Sequence, residues 1–172
     1  MASIARTLRP VAARFTLRSS PRVTSWQRPL SCVRTFSVSA AVKTRRYTKD
    51  HEWVELSDDK KTGTMGISDY AAHALGDVVY VELPTVPKEV AAGDAIGAVE
   101  SVKSASDINS PISCTITAVN ESLEETPGTI NKGPEDTSAG GGWFAKIEVG
   151  EAGVKDLEEL MDAAAYKEFT EE

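Results

Sequence analysis

Ala95-Ile-Gly-Ala-Val-Glu-Ser-Val-Lys103-Ser-Ala-Ser-Asp-Ile-Asn-Ser-Pro111 reads as a strand, a tight turn and a second strand, with Lys103 close to its midpoint. Small residues, Ser101, Ser104 and Ala105, surround the lysine, and it is the only cation between Lys88 and Lys132. A stiff hairpin displays such an amine to a modifying enzyme, and small neighbours leave room for that enzyme's pocket. Acylation there removes the charge and turns the side chain into a long swinging arm. An ordinary lysine at a hairpin tip fits this segment equally well, because exposed lysines are the norm.

Outward from the hairpin, short extended segments recur about every ten residues, the pattern of a compact β domain. Strands are predicted over 52–56, 64–67, 78–83, 95–102, 105–109, 114–119 and 143–149, punctuated by Gly63, Pro84, Pro87, Gly93, Pro111, Pro127, Gly128 and Gly133. Ser68 is placed to cap a short helix running to Leu75, with Gly76 as its stop. Asn120 is placed to cap a helical turn before Pro127. Val154, Leu157, Leu160, Met161, Tyr166 and Phe169 recur at helical spacing, which predicts a helix or helix pair packed by one face on the β body. Glu158, Glu159, Asp162, Glu168, Glu171 and Glu172 line its outer side, and residues 134–142 read as a loop.

Charge divides the chain. Ten of its 19 Lys and Arg residues lie from Arg6 to Arg46, ahead of the first acid, Asp50. Nine remain beyond them against all 26 carboxylates, a formal balance of −17 for residues 47–172. The Arg- and Ser-rich, acid-free leader has the composition of an organellar transit peptide, and its arginines interrupt every apolar run that a secretory signal would need. Arg34-Thr-Phe-Ser-Val-Ser39 resembles a mitochondrial processing site, which allows a mature start between Phe36 and Thr44. Residues 1–43 are accordingly expected to be a disordered, cleaved transit peptide, and residues 44–172 a single domain in the mitochondrial matrix. The acidic part has too few clustered cations for nucleic acid or anionic lipid as a partner. No run approaches the roughly 20 apolar residues of a membrane span, so a soluble chain is expected.

Catalysis by the chain itself finds no support. His51 and His73 stand in separate elements, and no Gly-rich phosphate loop, C-x-x-C pair or metal-spaced cluster is present. Cys32 lies in the leader, so Cys114 has no partner for an internal disulfide and reads as a small buried apolar residue.

The segment around Lys103 resembles the attachment hairpin of lipoyl- and biotin-bearing carriers, and the rest of the chain narrows the resemblance. Tyr47-Thr-Lys-Asp-His-Glu-Trp-Val54, the block from Gly66 to Pro84, Glu100-Ser-Val-Lys103 with Asp107 and Asn109-Ser-Pro111, then Asn120-Glu, Pro127-Gly, Ile130-Asn131 and Gly142-Trp143 ahead of a helical tail resemble, in order, the glycine cleavage system H-protein family. Two departures are local: Cys114 stands where the family usually has Gly, and 134–142 is longer and richer in glycine. A biotin carrier would have Met on both sides of the lysine. A lipoyl domain of a 2-oxoacid dehydrogenase complex would usually have Asp before it, and a carrier or lipoate donor for those complexes is the alternative reading.

The resemblance implies an all-β barrel-sandwich hybrid of two small sheets with short helices and a C-terminal helical tail. It implies lipoate in amide linkage on Lys103, installed by a lipoyl ligase or transferase that meets Glu100, Ser101 and Val102. A pyridoxal-phosphate glycine decarboxylase would load the arm with an aminomethyl group. A tetrahydrofolate-dependent aminomethyltransferase would unload it, and dihydrolipoyl dehydrogenase would reoxidise it. The chain is then a non-catalytic carrier that contributes effective concentration. The cargo carries an amine that is largely protonated at mildly alkaline pH, and Glu52 and Asp107 are the carboxylates expected to hold it. The acidic surface is expected to steer docking onto basic partner faces.

Overall fold

The computed structural model describes residues 44–171, so the leader expected over 1–43 lies outside the described residues. Among the described residues, nine strands form two antiparallel sheets. The larger holds β1 (Thr44–Tyr47), β2 (Glu52–Leu56), β3 (Thr62–Ile67), β5 (Lys88–Val90), β8 (Cys114–Val119) and β9 (Ala145–Val149), in the order β1-β2-β3-β9-β8-β5. The smaller holds β4 (Val78–Glu82), β6 (Ala95–Ser101) and β7 (Ala105–Asn109), in the order β4-β6-β7. The sheets are unequal, six strands against three, and one apolar cluster draws on both, including Val54, Met65, Ile116 and Ile147 from the larger and Val81, Ile96, Val99 and Ile108 from the smaller.

Strand period two accounts for the most informative burial. Glu52, Val54 and Leu56 share one face of β2, and all three are buried. Trp53, on the opposite face, has zero exposure because a second cluster of Tyr47, Trp143 and Tyr166 covers it. Its indole N–H donates to the carbonyls of Ile67 (2.8 Å) and Pro134 (3.2 Å), and the Arg45 guanidinium lies 4.5 Å from the ring centroid. At Gly97, where the β4–β6–β7 sheet carries an irregularity of register, a Cβ would strike the Glu82 carbonyl oxygen and stand 2.7 Å from Phe144 Cζ, so only glycine fits.

Helix α1 (Asp69–Leu75) starts at Ser68, whose hydroxyl accepts the Ala71 N–H at 3.2 Å, and ends at Gly76 with φ 80°. The short turns α2 (Ser122–Glu125) and α3 (Thr129–Lys132) follow β8. Asn120 is not the cap of α2: Glu121 holds that position, and the Asn120 amide instead donates to the carbonyls of Gly141 and Trp143, both at 2.9 Å. The predicted C-terminal pair is present as α4 (Glu151–Glu159) and α5 (Ala163–Glu171), with Leu157 and Tyr166 as buried anchors. No helix among the described residues is long and apolar enough to cross a membrane. Cys114 is buried with its Sγ 3.7 Å from Ser110 Oγ, and burial pushes its thiol pKa up, which favours the inert neutral form.

Candidate functional site

The β6–β7 hairpin turns through Val102, Lys103 and Ser104. Tight hairpin turns usually rely on positive φ, yet among the described non-glycine residues only His51 and Lys60 have it. The turn is held by Ser101 instead. Its N–H donates to the Ser104 carbonyl (2.8 Å), and its hydroxyl accepts the N–H groups of Lys103 (3.1 Å) and Ser104 (3.0 Å) while donating to the Ser104 carbonyl (3.0 Å). A serine hydroxyl thus takes the place of a backbone acceptor, a local substitution that only a short oxygen-bearing side chain allows. From outside the turn, the Asp77 carbonyl accepts the Val102 N–H at 3.2 Å. Asn131 fixes that neighbour in turn, donating to the Gly76 carbonyl (2.7 Å) and accepting the Val78 N–H (2.9 Å).

The result is an exposed amine on a rigid tip. Lys103 makes no ion pair with a described residue, and its side chain lies along Gly76, with Nζ 3.2 Å from where a Cβ would stand. Val102, 75% exposed, and Glu100 are open to any enzyme that approaches the lysine, whereas Ser101 is half-buried by its own bonds.

Beside the hairpin runs a cleft of about 290 Å³, bounded by Asp50, His51 and Glu52, by Ala71, Ala74 and Leu75 of α1, and by Val99 and residues 104–108. That size sits near the lower end of small-ligand sites, roughly 300–1,000 Å³, and the walls of Ile67, Leu75, Val99 and Ile108 suit a thin apolar chain. Two larger hollows, of about 360 and about 400 Å³, lie elsewhere and are bordered neither by Ser104 nor by Glu52.

Of the two carboxylates expected to hold a cargo, Glu52 is 3% exposed at the edge of this cleft. One of its oxygens accepts the Asn109 N–H at 3.1 Å, and the other accepts the Thr48 hydroxyl in a short hydrogen bond. A carboxylate so buried is oriented, and each oxygen keeps a lone pair for a further donor. Asp107 is exposed and borders both this cleft and the 400 Å³ hollow; register pairs it with Ala98, which lines the latter. Ser106, paired with Val99, shares the cleft side, a placement that only the pairing register reveals. His51 occupies a turn just ahead of β2, at φ 72°, and His73 is exposed on α1. No group of described His, Cys, Asp or Glu side chains is arranged to hold a metal ion.

A second charged cluster braces the structure behind α1. Glu135 accepts from Arg45 (2.7 Å), from the Tyr47 hydroxyl (2.9 Å) and from the Asp69 N–H (3.1 Å), tying the 134–142 loop to β1 and to the start of α1. Burial and the neighbouring Glu135 push the Tyr47 phenol up to about 12.

The glycine cleavage H-protein family profile matches residues 45–172, all but one of the described residues included. The chain belongs to the glycine cleavage H-protein family. The mitochondrial glycine cleavage system H protein 2 of Arabidopsis thaliana is 46% identical over 151 residues, spanning 88% of this chain and 91% of the relative. The H protein of Thermotoga maritima is 47% identical over 128 residues, spanning 74% and 97%. The crystal structure of the Mycobacterium marinum H protein superposes with a TM-score of 0.60 at 35% identity, over 73% of this chain and 95% of that one. Family membership, with the two-sheet architecture, bears out the barrel-sandwich expectation and places the chain as a carrier subunit of glycine cleavage that is not itself a catalyst.

Proposed function

We propose that Lys103 carries lipoate in amide linkage and that the adjoining cleft shelters the loaded arm between enzymes. The observation that carries this reading is the coincidence of one exposed amine, on a turn braced by Ser101 and Asn131, with an apolar-walled cleft ending at the buried Glu52. When bound, the group supplies a disulfide that takes up the aminomethyl unit left by glycine decarboxylation. The chain's own residues do the rest by position. Ser101 keeps the amine on the tip, Glu100 and Val102 face the enzyme that installs the group, and Leu75, Val99 and Ile108 exclude water from the arm's aliphatic stretch. Glu52 attracts the cargo's ammonium and keeps it from solvent.

The partners that follow are the pyridoxal-phosphate decarboxylase, the tetrahydrofolate-dependent aminomethyltransferase, dihydrolipoyl dehydrogenase and a lipoyl ligase or transferase. The mitochondrial matrix is the compartment, supported by the Arg-rich leader and by the mitochondrial Arabidopsis relative. Residues 1–43 are proposed as the cleaved transit peptide, supported by the acid-free, Arg-rich composition of that segment.

Intact-mass spectrometry of protein purified from its native compartment tests the assignment. A lipoyl adduct mapped to Lys103 and a start between Phe36 and Thr44 are expected; an unacylated native protein with full glycine-cleavage activity sinks it. The cleft has its own test in the lifetime of the loaded arm. Glu52→Gln keeps Asn109 on its amide oxygen, reverses the Thr48 bond so that the amide N–H donates to the hydroxyl, and removes the charge, so the lifetime falls about tenfold, the worth of one charge-assisted hydrogen bond. Asp107→Asn, at an exposed site where solvent screens the pair, shortens it only about twofold. Unchanged lifetimes in both variants remove the shelter from the mechanism.

A further inference from the structure

We propose that Tyr166, on the C-terminal helix, is a positioning residue that sets both walls of the cleft without touching the arm. The inference rests on the cleft reading above. Tyr166 is the only buried residue of α5, and its ring stacks on Tyr47 with centroids 4.3 Å apart and planes 6° off parallel. Stacking alone would dock the helix, and a phenylalanine would do it. The phenol oxygen has a separate task. It sits 2.8 Å from His51 Nδ1 and 2.7 Å from Ser68 Oγ, joining two residues that no other side-chain hydrogen bond links among those described.

Each of those segments ends in a cleft wall. His51 holds a left-handed conformation that residues other than glycine rarely adopt. Its ring is fixed between the phenol and Tyr70, whose centroid is 4.6 Å away. Glu52 follows directly in the chain, so the His51 backbone aims the carboxylate. Ser68 has zero exposure and caps α1, which contributes Ala71, Ala74 and Leu75 to the other wall; its N–H also donates to the His51 carbonyl at 2.8 Å. One hydroxyl therefore registers the carboxylate side against the helix side, as second-layer hydrogen bonds orient the groups that bind a ligand directly. Tyr166 does not line the cleft itself.

Tyr166→Phe tests this, because it keeps the stack and removes only the bridge. In the unlipoylated chain, the His51 ring nitrogen resonances are expected to shift, since Nδ1 loses its partner. In the lipoylated protein loaded with the aminomethyl group, the one thiol left free on the arm is expected to react with iodoacetamide roughly fivefold faster than in the unaltered chain, the order expected for one lost hydrogen bond. Cys114 serves as an internal monitor: it is buried and stays unlabelled while the fold is intact. Labelling of Cys114 in step with the arm makes the role merely structural and overturns the proposal. Ala74→Phe, which fills the cleft, separates the two hypotheses. If it accelerates arm labelling and Tyr166→Phe does not, the positioning role fails and the shelter stands; if neither accelerates it, both fall.

Discussion

Lys103→Arg abolishes glycine-dependent carbon dioxide exchange down to the background of an assay without the chain, and leaves the protein folded. Arginine keeps the positive charge and most of the reach. The hairpin does not depend on the lysine side chain, since every bond that shapes the turn comes from Ser101, Ser104 and the Asp77 carbonyl. The exposed position limits the stability change to about 0.5 kcal/mol or less. What disappears is nucleophilicity. A lysine amine has a small neutral fraction at mildly alkaline pH, and that fraction forms the amide; a guanidinium, with a pKa above about 12, has effectively none. No other lysine offers a substitute, because the nearest in sequence, Lys88 and Lys132, lie in other elements. The informative comparison is the mass spectrum of the variant after incubation with the lipoylating enzyme. An unmodified chain with a normal melting profile confirms the route; retained exchange activity ends it.

How much of this is legible in the sequence depends on which residues carry their own local signal. Strands 52–56, 105–109 and 114–119 are legible to the residue because apolar alternation and turn residues agree there. The two strands outside the predicted set, β1 and β5, have no such signal. β1 is Thr-Arg-Arg-Tyr, whose arginines read as solvated; Glu55 and Glu135 neutralise Arg45, and Trp53 stacks beneath it. β5 has three residues, too few for any period to show. At the site, Lys103 and its turn were legible because they are contiguous. The burial of Glu52 was not, although its shared face with Val54 and Leu56 contained the information. Ser106, Asn109, Asn131 and Tyr166 owe their roles to pairing register or to contacts across tens of residues, and no local pattern encodes such contacts.

The largest loss of stability is expected at Trp53. Truncation to alanine empties a position of zero exposure, and replacing a buried aromatic by alanine costs about 3–5 kcal/mol in transfer and cavity terms. Two further losses act in the same direction, and the cavity is not refilled from the neighbouring strand. The carbonyls of Ile67 and Pro134 lose their shared donor, at about 1 kcal/mol. Arg45 loses the ring beneath its guanidinium, a contact worth roughly 0.5–1 kcal/mol. Gly66, which has no side chain, cannot fill the space, since the indole lies 3.2 Å from where a Cβ at that position would stand. Against the 5–15 kcal/mol of a typical domain, a loss of this size takes a third or more of the total. Trp53→Phe keeps most of the volume but not the N–H, so it falls between the two, nearer the parent. Urea unfolding followed by far-UV circular dichroism reads the difference as a shift of midpoint at unchanged slope. Because Pro134 precedes Glu135 and Ile67 precedes Ser68, the same substitution also loosens both ends of the brace behind α1. Arm protection should therefore fall even at temperatures where the alanine variant remains folded. A loss below about 1 kcal/mol would mean that the Tyr47–Trp143–Tyr166 cluster closes over the gap unaided, and that β1 and α5 are held by something other than this indole.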